Sequence, residues 1–157
     1  MDISICKKNI INIINNNTSL EYILQNICDK LKQNTIHYDW VGFYFKNGDK
    51  NELKLAQFSG EPTEHTIIPF GKGICGQVAI SNKNFIVQDV SEQQNYISCG
   101  IKVKSEIVIP IFINGDNIGQ IDIDSHTINP FSEKDTELLE FVCAEVANLD
   151  LLSFVNP

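Results

Sequence analysis

The sequence is short of positive charge. Its 157 residues carry 12 Lys and Arg against 20 Asp and Glu, a net charge of −8. Nucleic acid and anionic membrane surfaces both require a basic footprint, so neither is an expected partner. Any apolar run of membrane-spanning length is also missing. The opening stretch, MDISICKKNIINIINNN, is not a basic start followed by an unbroken apolar segment, so no signal peptide is read there. These absences lead to the expectation of a cytoplasmic protein, in a compartment that keeps thiols reduced. Motifs with metal-ligand spacing are missing too. The five cysteines (Cys6, Cys28, Cys75, Cys99 and Cys143) include no Cys-x-x-Cys pair, and His37, His65 and His126 include no His-x-x-x-His pair. Neither a disulfide framework nor a metal site is expected.

What is present is an ordinary globular composition, 43% apolar and 20% charged, enough for one domain with a hydrophobic core. A first helix is expected over about Ile3 to Ile14, ended by NNNT. A second begins with Thr18 as N-cap and Glu21 three residues on, then repeats Ile23, Leu24, Ile27, Cys28 and Leu31 at helical spacing. WVGFYF (Trp40 to Phe45) reads as a buried strand that turns at NGDK and returns through ELKLAQF. GKGICGQVAIS is a glycine-bounded turn running into a short helix, and NFIVQDV is a strand. A long polar loop carrying Cys99 follows. EIVIPIFI, NGDN and IGQIDID make a second hairpin. The C-terminal helix is capped by Ser132, has Asp135 in its first turn, and buries Leu138, Leu139, Val142, Val146 and Leu149. The pattern is α+β: a central antiparallel sheet with N- and C-terminal helices on one face.

Among residues able to carry chemistry, Cys28 and Cys143 occupy apolar helix positions and read as small core residues. Cys75 and Cys99 instead lie in the glycine-flanked stretches GICG and SCG. Cys75 is placed at the start of a helix, where unpaired N–H groups and the dipole favour a thiolate. The competing reading is two small residues filling tight turns. Asp122 and Asp124 are two apart on a strand and share one face. That face is either solvated, the usual fate of such alternation, or the wall of a pocket. The neighbouring strand, apolar at every position after Glu106, favours the pocket. A two-residue turn at Gly115–Asp116 would set Ile107 opposite Asp124. A three-residue turn at Asn114 to Asp116, or a bulge at Pro110, would set Glu106 there instead. Three facing carboxyl groups would raise one another's pKa. Trp40 and Tyr44 share a face across Gly42, which leaves a gap where a ligand could lie.

In this order, DWVGFYF, PFGKGICG, SCG…KSEIVIPIF, IGQIDIDS and F…D…LLE resemble the free methionine-(R)-sulfoxide reductases, stand-alone enzymes built on a single GAF domain. The resemblance implies one GAF domain over 1–157, with N-terminal helices at about 3–34 and a family-like core at about 39–148. It implies reduction of free L-methionine (R)-S-oxide with no bound cofactor. Cys99 matches the nucleophile that attacks the sulfoxide sulfur, and Cys75 the cysteine that resolves the sulfenic acid as a disulfide. Glu106, Asp122 and Asp124 match the acids that bind substrate and assist loss of oxygen, with Glu106 and Asp124 as the catalytic candidates. Trp40 and Tyr44 match the aromatic wall around the methyl group. Thioredoxin as reductant and a homodimer paired through terminal helices are further implications. His65 stands where many members carry a third cysteine, which leaves the two-cysteine subtype. The competing functions are a GAF small-molecule sensor without turnover and a thiol-based redox sensor; a sensor would be expected to carry an output domain.

Overall fold

In a computed structural model of the chain, residues 1–93 and 102–157 are described. They form, in order, α1 (Ile3–Asn16), α2 (Leu20–Asn34), β1 (Trp40–Lys46), β2 (Glu52–Ser59), β3 (Ile67–Pro69), α3 (Gly73–Ser81), β4 (Phe85–Val87), β5 (Ser105–Ile113), β6 (Asp116–Ser125), α4 (Glu133–Ala147) and α5 (Leu152–Val155). The strands make one antiparallel sheet in the order β3-β2-β1-β6-β5-β4.

Period-two alternation in the central strands gives the sheet two buried faces. Val41, Phe43, Phe45, Ile107, Ile109, Ile111, Ile121 and Ile123 point to one of them. There they meet the apolar stripes of α2 (Ile23, Leu24, Ile27, Cys28, Leu31) and α4 (Leu138, Leu139, Val142, Cys143, Val146), with Cys6 and Ile10 of α1 beside them. Each such side chain contributes about 1.5–3 kcal/mol relative to exposure, which is what fixes the terminal helices to this face. The short helix α3 packs on the opposite face, against β2, β3, β5 and β6.

Three local expectations shift. Ser19, not Thr18, caps α2, its side chain accepting from the Tyr22 amide at 3.5 Å. Helix α4 stops at Ala147, so Leu149 lies beyond it and packs half-buried against the core. The β5–β6 turn is the two-residue Asn114–Gly115, both in the left-handed region at φ 51° and 83°, as an Asn-Gly hairpin favours. From that turn Phe112 pairs with Asn117, but Ile111 pairs with Gly119, so Ile118 is the extra residue of a bulge. The bulge resets the register and brings Glu106 opposite Asp124. That pairing was one of the alternatives, reached through a bulge in β6 rather than at Pro110.

At the start of α4, Ser132 and Asp135 form a reciprocal capping box. Asp135 is buried and also accepts from Tyr38 Oη at 2.6 Å, tying the approach to β1 onto α4. Burial and the Asp135 charge raise the Tyr38 pKa, so this phenol remains a donor.

Candidate active site

The second sheet face holds the chemistry. Backbone pairing aligns Trp40 with Asp124 and Asp124 with Glu106; Gly42 pairs with Asp122, and Tyr44 with Gln120. All three acids are buried: Glu106 is 3% exposed, Asp122 1% and Asp124 2%. The solvated-face reading is therefore wrong for these positions. The reason is α3, which covers this side of the sheet and supplies Cys75, itself buried. Cys75 Sγ sits 3.7 Å from Glu106 Oε1.

Electrostatics follow from that burial. Desolvation pushes the Glu106 pKa well above the carboxylate range, and the charges of Asp122 and Asp124 push it further. Asp122 is raised by burial too, but hydrogen bonds from Glu106 and Cys75 favour its charged form. Burial and like charge thus favour the protonated form most strongly at Glu106. Cys75 is raised well above the ordinary thiol range, first by burial and then by Asp122, Glu106 and Asp124. This corrects the expectation of a helix-stabilised thiolate. Cys75 is the third residue of α3, but its sulfur faces acids instead of backbone N–H groups, and it stays a thiol.

The aromatic pair is anchored from the segment between β2 and β3. Trp40 Nε1 donates to the Glu61 carbonyl at 3.0 Å, and Tyr44 Oη to the His65 carbonyl at 2.8 Å. The two ring centroids lie 6.4 Å apart, and the indole stacks on Phe58 at 5.6 Å. The expected gap over Gly42 is filled by the indole itself. A Cβ at residue 42 would stand 2.2 Å from Trp40 Cη2, so glycine is what lets the ring lie flat across β1. Two cavities border this face. An open one of about 540 Å³ has Trp40 and Asp124 at its base and Lys32, Asp39, Lys102 and His126 around it. A small one of about 20 Å³ touches His65, Cys75, Glu106 and Asp122.

The fold thus gathers Cys75, Glu106, Asp122, Asp124, Trp40 and Tyr44 on one face; Cys99 lies outside the described residues. Two further residues border this face without a role assigned to them from the sequence. His65 borders the small cavity, and Gln120, fully buried, leaves both amide atoms without a hydrogen-bond partner among the described residues. Gln120 could have been found, because it extends the Asp122–Asp124 alternation by one step; the sequence marks His65 only as standing in place of a third cysteine.

Comparison with known proteins locates this arrangement. Residues 17–149 match the GAF domain family. A type II free methionine-R-sulfoxide reductase from Thermoplasma acidophilum is 37% identical, superposes with a TM-score of 0.78, and shares 83% of this chain and 90% of its own. The free methionine-R-sulfoxide reductase of Neisseria meningitidis, solved with its substrate, is 32% identical with a TM-score of 0.80 over 94% of this chain and 93% of its own. The yeast free methionine-R-sulfoxide reductase is 39% identical over 111 residues, which span 69% of this chain but only 61% of that protein. The chain belongs to the GAF domain family and, within it, to the free methionine-R-sulfoxide reductases.

Proposed function

We propose that this chain reduces free methionine (R)-sulfoxide to methionine, with Cys99 as nucleophile and Cys75 as resolving thiol. The Cys99 thiolate attacks the sulfoxide sulfur while the departing oxygen is protonated. The oxygen ends on Cys99 as a sulfenic acid, and the sulfur leaves as a thioether. Cys75 then attacks the Cys99 sulfur, releasing water and forming a disulfide, which an external dithiol such as thioredoxin reduces. The acids answer the chemical demand, since sulfoxide oxygen leaves poorly unless protonated. They also offer partners for the ammonium of a free amino acid, which a residue within a peptide lacks. Trp40 and Tyr44 supply the apolar wall for the methyl group.

The observation that carries this reading is the buried Cys75–Glu106 contact beside Asp122. A carboxyl group held protonated under a helix is positioned to give up a proton, and a thiol kept neutral suits the second step better than the first. Exposed Ile5, Ile11 and Tyr22 on α1 and α2 support pairing of two copies through the terminal helices.

One equivalent of the (R) epimer decides the matter. Cys75→Ser should release one methionine per chain and then stall, whereas Cys99→Ser should release none. Wild type should end with a Cys75–Cys99 disulfide in peptide maps. A single-turnover burst retained by Cys99→Ser would exchange the two roles, and binding without any turnover would make the protein a sensor.

A further inference from the structure

The small cavity beside Cys75 gathers groups the proposed reaction uses in an arrangement that also suits a bound ion. It brings a thiol and two carboxyl groups to the wall of a space of about 20 Å³, which His65 also borders. That is room for a water or an ion and little more. The ligand atoms of Cys75, Glu106 and Asp122 all lie within 4.8 Å of one another. In a tetrahedral zinc site, with sulfur at about 2.3 Å and carboxylate oxygen at about 2.0 Å, the two donors stand roughly 3.5 Å apart. Cys75 Sγ and Glu106 Oε1 stand 3.7 Å apart without any rearrangement. Asp122, 1% exposed, keeps one oxygen, Oδ1, without a hydrogen-bond partner among the described residues. A buried carboxylate oxygen in that condition is costly unless something cationic or hydrogen-donating meets it.

We propose that Cys75, Glu106 and Asp122, with a water completing the tetrahedron, bind a single divalent late transition-metal ion of the zinc class. The thiolate sulfur selects such an ion over magnesium or calcium, which prefer all-oxygen sites. The exposed Lys72 also borders the cavity and is the unfavourable charge the ion meets, but its flexible side chain is free to swing into water. Binding displaces the Cys75 and Glu106 protons, so affinity rises with pH. A metal-held Cys75 is no longer available to form a disulfide, so the ion switches off any chemistry that needs this thiol. The binding itself stands apart from the reductase reading and is tested without turnover.

Cobalt(II), a spectroscopic stand-in for zinc, should bind the reduced protein at one ion per chain and give a near-ultraviolet thiolate-to-cobalt absorption. Zinc should displace it. The band should vanish in Cys75→Ser, persist in Cys99→Ser, and need at least about tenfold more cobalt in Asp122→Asn, with thermal melts confirming that each variant is folded. Absence of the band in wild type overturns the site. So does a band that survives in Cys75→Ser, or an affinity unchanged in Asp122→Asn.

Discussion

The two faces of the central sheet use the same strands in opposite ways. Phe43 and Gly42, Ile123 and Asp122, Ile107 and Glu106 are chain neighbours, yet one of each pair meets α2 and α4 and the other meets α3 or its surroundings. Both faces are buried. On the helical face the packed sheet side chains are apolar, and the buried polar pair at its edge, Tyr38 and Asp135, is satisfied by a mutual hydrogen bond. On the α3 face Asp122 Oδ1 and the whole Gln120 amide lack hydrogen-bond partners among the described residues, at about 1–3 kcal/mol for each unmet group. The first face holds the sheet together, while the second carries buried polar groups at a cost in stability, as a face built for chemistry would.

This contrast can be broken from either side. On the helical face, Phe43→Ala should lower stability by about 3–5 kcal/mol, read as the denaturation midpoint. On the α3 face, Glu106→Gln should leave the midpoint near that of wild type at acid pH but slow the chemical step by on the order of 100-fold, about 2.7 kcal/mol. Single-turnover rates with (R)-sulfoxide check it, and a fully active Glu106→Gln would return this face to a structural role.

The same residue gives a pH signature. Because burial raises its folded pKa, the native state holds more protons than the unfolded chain above about pH 4.3. The stabilisation is complete below that pH and is lost as pH rises toward the folded value. Thermal midpoints of wild type should therefore fall across this window, with Asp122 adding in the same direction, and Glu106→Gln should flatten most of the slope. The smallest effect is expected at Gln120. Replacing an unbonded buried amide by Leu should raise stability by about 1 kcal/mol, and a loss instead would mean the amide has found a partner.

How far the sequence disclosed this contrast depended on range. Period two was enough to put Asp122 and Asp124 together and the isoleucines opposite them. Ser132 and Asp135 announced the α4 cap through a three-residue spacing. Signals spread over a longer span failed. The Glu106–Asp124 pairing depends on a bulge at Ile118, where the chain shows only one apolar residue among others. Cys75 reaches Glu106 because of how α3 is rotated on the sheet, which its nearly uniform apolar sequence GICGQVAIS does not encode as a stripe. The bulk of Trp40 was read as a wall beside an open gap, since the torsion that folds an indole over a glycine leaves no trace in spacing.

That indole carries a consequence of its own. Trp40 is the single tryptophan of the chain, so ultraviolet emission excited at the red edge comes from the α3 face alone. The ring is 8% exposed, stacks on Phe58, and shares one side-chain cluster with Cys75. A molecule entering above Asp124 must slide along it or push it from Gly42, and either event alters quenching and emission colour. The protein thus contains a built-in optical probe of occupancy, one that needs no label and is blind to everything happening among the terminal helices.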